Sequence, residues 1–112
     1  NKMPTNVYKV LGQLRPGANT LANVYTVPAA NSAVLSSITV CNQTAVNASY
    51  SIAIAPDGEA ANDKHFIVRG GTVPAADSIG ITLGLTMDAA DQVRCNTNTL
   101  NVSFSVFGSE VF

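Results

Sequence analysis

From Ile79 to Met87 every second residue is apolar: Ile79, Ile81, Leu83, Leu85 and Met87 alternate with Gly80, Thr82, Gly84 and Thr86. A helix repeats near 3.6 residues, so a sustained period of two fits an extended strand with one apolar face. The pattern returns over Leu100–Val106, where Val102, Phe104 and Val106 oppose Asn101, Ser103 and Ser105. It appears again where Tyr50, Ile52 and Ile54 alternate with Ser49, Ser51 and Ala53. Three one-faced strands need a common core, and a second sheet is the natural cover.

Less regular apolar stretches mark further strands at Val7–Leu14, Leu21–Val27, Val34–Asn42, His65–Arg69 and Gln92–Asn96. Pro16-Gly17, Asn31-Ser32, Asp57-Gly58 and Gly70-Gly71 separate them with residues that set φ or tolerate its positive values. No βαβ alternation is present, and Pro56–Asp63 reads as loop. The expectation is all-β: a single antiparallel β-sandwich over residues 1–112, jelly-roll-like, with seven or eight short strands. One internal echo supports it. Val27-Pro28-Ala29-Ala30-Asn31-Ser32 recurs as Val73-Pro74-Ala75-Ala76-Asp77-Ser78, which predicts two equivalent corners, whether or not the halves are duplicates.

Only 12% of the residues are charged, about half the usual fraction, while 46% are hydrophobic. Six basic and seven acidic groups leave a net charge of −1. No basic patch serves nucleic acid or an anionic membrane, and no apolar run approaches the roughly 18 residues of a membrane span. Few charges also mean little repulsion between copies, so the expectation is a chain that lives in an assembly. On the clearest strands the outward residues are Gly, Ser, Thr and Ala, which let another surface approach closely. The start at Asn1, with Met3 just inside, leaves room for a missing initiator or leader.

The residues that carry chemistry are sparse. Cys41 and Cys95 stand 54 positions apart with one histidine in the chain, too few ligands for a zinc site; two buried thiols are favoured over a disulfide. His65 is the only imidazole base, no activated serine motif accompanies it, and a strand histidine of structural role is expected. Asp57, Glu59 and Asp63 crowd one loop and Asp88 and Asp91 another, without the ligand alternation of a calcium loop. No aromatic platform flanks either loop as a sugar hydrolase would need, and no cofactor or metal is expected. Tyr50, Phe66, Phe104 and Phe107 are read as core, and Tyr8 and Tyr25 as exposed. Asn42, Asn47 and Asn101 head Asn-x-Ser/Thr sequons and are assigned no role.

Several longer runs resemble small structural proteins of tailed bacteriophages, including those of cyanobacteria. They are Leu11-Gly12-Gln13-Leu14-Arg15-Pro16-Gly17-Ala18, Val24-Tyr25-Thr26-Val27-Pro28-Ala29 and Ile38-Thr39-Val40-Cys41-Asn42-Gln43. Lys64-His65, Ala75-Ala76-Asp77-Ser78 leading into Ile81-Thr82-Leu83-Gly84-Leu85, and Val106-Phe107-Gly108-Ser109-Glu110 continue the likeness over nearly the whole chain. The resemblance implies a non-enzymatic virion protein: first a capsid decoration (cement) protein bridging major capsid subunits, otherwise a tail or baseplate accessory. It also implies a homo-oligomer, a dimer or trimer. The contact segments expected are an N-terminal arm, Asn1–Asn6, and the loop Ala55–Lys64, with Asn1, Lys2, Met3, Pro4, Asp57, Gly58, Glu59 and Asp63 as the contact residues. A carbohydrate-binding module for host recognition is the alternative of another class.

Overall fold

The computed structural model describes residues 6–60 and 62–112. It contains eight strands: β1 (Asn6–Leu14), β2 (Ala22–Thr26), β3 (Ser32–Asn42), β4 (Ala48–Ala55), β5 (Phe66–Val73), β6 (Ser78–Met87), β7 (Gln92–Thr97) and β8 (Val102–Val111). They form two four-stranded sheets with orders β1-β8-β3-β6 and β2-β7-β4-β5. Every pairing is antiparallel, and the pairs β1/β8, β2/β7, β3/β6 and β4/β5 are those of one long hairpin whose tip is the β4–β5 connection. Rolling that hairpin so that β8 also pairs with β3, and β7 with β4, gives the jelly roll.

The inward faces supply the core. Leu35, Ile38 and Val40 of β3 and Val102, Phe104 and Val106 of β8 meet Tyr50 and Ile52 of β4 and Val93 and Cys95 of β7, all buried. The Tyr50 and Phe104 rings lie tilted at 57°, their centroids 6.4 Å apart, across the two sheets. β6 keeps its alternation, but as a sheet edge: Ile79, Ile81 and Leu85 are only partly buried, and of its described side chains Met87 alone is fully enclosed. The side chain of Leu83 lies outside the described set.

The two echo segments do form matching corners. Each carries the chain from the β2-β7-β4-β5 sheet to the other, after β2 and after β5, at opposite ends of the sandwich. Val27 and Val73 are both buried, and Ala30 and Ala76 both take a left-handed backbone, φ 65° and 53°. Ala90, in the Asp88-Ala89-Ala90-Asp91 turn between β6 and β7, repeats the conformation at φ 70°.

Several local expectations are corrected. Gly70-Gly71 lies inside β5 and makes no turn; Gly70 at φ 71° forms a bulge where the β4 register shifts between Tyr50 and Ser51. A Cβ on Gly71 would meet Tyr50 Cε1 at 2.7 Å, so the ring fixes that glycine. His65 belongs to a 3₁₀ turn, Asp63–His65, and β5 begins after it; a second short turn covers Pro56–Gly58. β8 runs on through Gly108 to Val111, which turns Phe107 to the outer face. Tyr25, expected exposed, is buried at 7%.

Candidate functional site

Three places gather side chains with chemical character: the outer face of the β1-β8-β3-β6 sheet, a cleft between β5 and β6, and a buried ion pair between the sheets.

On the first, cross-strand partners form rows. Tyr8 stands opposite Ser109, which stands opposite Val34; Val10 stands opposite Phe107. Tyr8 is 82% exposed, Val10 49% and Val34 38%. Tyr8 and Val34, with Lys9, Ser36, Phe107, Gly108 and Ser109, border a shallow depression of about 440 Å³. The only charged residues on these four strands are Lys9 and Glu110, which occupy inward positions and pair with each other. The rest of the outer face is Ser, Thr, Gly, Asn, Gln, Cys41 and Val111. The opposite sheet differs: Arg94 and Arg69 point outward from it, and Arg69 covers the Phe66 ring at 4.8 Å and pairs with Asp63.

The cleft, about 390 Å³, opens between the edges of the two sheets and is lined by Ile54, Pro56, Ile67, Leu85 and Met87, with Glu59, Lys64 and His65 beside them. His65 is buried. Its Nδ1 accepts the Asn62 N–H at 3.2 Å, taking the place of the glutamate in a capping box. That bond leaves the ring proton on Nε2, which has no hydrogen-bond partner among the described residues and faces Glu59 Oε2 at 3.6 Å.

The loop contact residues Asp57, Gly58, Glu59 and Asp63 all fall in the β4–β5 connection, bound to the body of the protein. The Asp57 N–H donates to Asp91 Oδ1 (3.0 Å), and Arg94 donates to the carbonyls of Gly58 (3.1 Å) and Glu59 (2.8 Å). Ala53, opposite Arg94, is buried there despite its outward register. Asp91 Oδ2 accepts the Asp88 N–H, and Asp88 Oδ1 that of Ala89, so these carboxylates hold turns. Of the expected arm, Asn1, Lys2, Met3 and Pro4 lie outside the described residues, and Asn6 is already the first residue of β1, paired with Val111. Cys41 and Cys95 are unbridged. Cys95 is in the core, where burial pushes its thiol up to about 12; Cys41 is half-buried on the outer side of β3.

Two polar residues that sequence reasoning passed over are structural centres. Glu110 is buried between the sheets, accepting the Tyr25 hydroxyl at 2.6 Å and the Lys9 ammonium at 2.7 Å. Those bonds, Lys9 first, hold its carboxyl below the usual range, while burial and Glu110 raise the Tyr25 hydroxyl. The signal was an apolar strand ending in a lone acid. Asn42 is equally buried: its Nδ2 donates to the carbonyls of Val46, Val73 and Pro74, and its Oδ1 accepts from Thr44. Its sequon is therefore closed to a sugar.

No family model matches the chain, and no curated protein matches it at significance.

Proposed function

We propose that this chain is a structural component of a tailed-bacteriophage particle, a capsid decoration protein that docks through the outer face of its β1-β8-β3-β6 sheet and works without catalysis. One observation carries the reading: the outward positions of that face hold no charged residue among those described, Lys9 at the rim of its depression being tied to Glu110, and Tyr8, Val10, Val34 and Phe107 stand there together. A protein that stays in water normally guards a sheet face with Lys, Glu or Arg. A neutral face of small residues around an aromatic anchor suits a broad, closely fitted contact, and such anchors dominate interface energetics. Jelly rolls also serve in viral shells, an analogy at the level of fold that adds weight without naming a partner. Bridging neighbouring shell subunits would add buried area against internal pressure.

Electron microscopy of the parent particle, with this chain located on it, tests the reading. Hundreds of copies on the shell are expected; a dozen or fewer at the tail would move it to a tail or baseplate accessory, and absence from the particle would reject it. Tyr8→Asp, at an 82% exposed position, should fold normally and lose most particle binding in co-sedimentation. The competing reading, a carbohydrate-binding module, is favoured by a polar recess between Asn19, Ser49, Ser51, Asn96 and Asn98. Saturable saccharide binding by titration calorimetry would support it.

A further inference from the structure

We infer that β6 is a pairing edge for a second copy of this chain, forming an antiparallel two-fold dimer centred on Thr82. The sandwich has one closed side and one open side. On the closed side β1 and β2 touch, so closely that a Cβ on Gly12 would meet the Val24 carbonyl oxygen. On the open side β5 and β6 are separated by the apolar cleft that exposes Ile67 to 41%.

The four edge strands are not equally guarded. β1 carries Lys9 and a bulge, β2 is five residues long with a bulge, and β5 carries Arg69 and the Gly70 bulge. β6 is ten residues long, with no charge and no proline, and its pairing with β3 is irregular only between Thr82 and Leu85. Gly80 and Gly84 have nothing within 4 Å of where a Cβ would stand. Unpaired backbone donors and acceptors along such an edge are a template for another strand.

The sequence of β6 specifies which strand. Ile79-Gly80-Ile81-Thr82-Leu83-Gly84-Leu85 reads the same in both directions by residue class: apolar, Gly, apolar, Thr, apolar, Gly, apolar. Laid antiparallel on itself with Thr82 opposite Thr82, it sets Gly80 opposite Gly84 and Ile79 opposite Leu85. A two-fold interface must be self-complementary in this way, and an unrelated partner strand requires no palindrome. Neutral meets neutral, and each copy's half-buried Ile79, Ile81 and Leu85 continue the other's inner face. Seven paired residues span roughly 24 Å, and two sheet layers give a wall about 20 Å deep, so some 1,000 Å² is buried in total. That is the lower end for a specific contact and suits a reversible dimer. The pairing uses the sheet edge and does not depend on the particle reading.

Sedimentation equilibrium of the full chain over about 5 to 500 µM, a range that populates weak reversible dimers, is the first test. Thr82→Lys places two ammonium groups across the axis and should weaken the dimer about tenfold or more, with unchanged circular dichroism. In a Cys41→Ser background, Thr82→Cys should form an intermolecular disulfide under mild oxidation much faster than Thr39→Cys, which is placed on the neighbouring strand. The inference is overturned by a monomer throughout that range. It is equally overturned by a dimer indifferent to Thr82→Lys, or by cross-linking of Thr82→Cys no faster than the control. Particle binding by a monomeric chain would reject this pairing and leave the proposed function standing.

Discussion

Glu110 accepts from Lys9 and Tyr25 in the space between the sheets, and its place there decides how stability responds to pH. Its folded pKa lies below the unfolded one, so its contribution is present above the unfolded value, about 4.3, and is lost as pH falls through the folded value. The Tyr25 hydroxyl is shifted upward, so its contribution holds below about 10 and is lost as pH rises further. Urea midpoints should therefore form a plateau across neutral pH, with losses below about 4.5 and above about 10. Tyr25→Phe should cost about 1–3 kcal/mol and blunt the alkaline loss, because it removes a buried donor from a carboxylate that keeps only Lys9. Alanine at positive φ is a second residue-scale feature. Ala90→Gly at φ 70° should relieve more strain than it adds in chain entropy, raising the melting temperature by a few degrees in calorimetry. The lone acid at the end of β8 was the one legible trace of the first feature; its Tyr25 partner and the alanine conformations were not legible in the chain. Tyr25 sits on a short, bulged strand whose alternation is broken between Asn23 and Tyr25, and its partner lies 85 residues away.

At the scale of elements, the long alternating strands were legible because their period equals that of the pleat, and β4 and β8 place the expected residues inward. What escaped was wherever a strand departs from regularity. Gly70-Gly71 has the composition of a turn, yet it bulges a strand under the Tyr50 ring. Gly108 lets β8 continue past Phe107 where β3 bulges; a Cβ there would collide with the Val34 carbonyl oxygen. Gly108→Ala should consequently destabilise the protein by about 2 kcal/mol or more in urea titrations, while Gly80→Ala, facing open space, should leave it within about 0.5 kcal/mol of the parent. Asn42 shows the same limit for corners. One side chain joins the β3–β4 loop to the β5–β6 corner, which no local pattern announces; Asn42→Ala should loosen both, seen as faster hydrogen exchange at Thr44 and Ala76.

For the whole molecule, the roll-up of one hairpin explains why fold class could be read and the proposed docking surface only in part. Alternation gives the number of faces to bury, and the echoed corners give the two symmetric crossings between sheets. Which outward face carries Tyr8, Val10, Val34 and Phe107 depends on β8 lying between β1 and β3, a long-range arrangement. That arrangement also dictates assembly. The β1-β8-β3-β6 sheet lacks an inner strand until β8 is in place, so a chain ending before Val102 should show no cooperative melting transition. The intact chain should fold in milliseconds to seconds, as topologies dominated by distant pairings do.

The register of β1 against β8 has a mechanical meaning. Asn6 lies opposite Val111 and Leu14 opposite Phe104, so the strand nearest one end of the chain starts where the strand nearest the other end finishes. Tension applied through those two ends would peel the ladder one bond at a time, like a zipper, and rupture it at low force. A load spread over the sheet face presses on all four strands together. A protein built this way resists strain as a plate and yields as a tether, so any partner that relies on it for strength must hold it by the face.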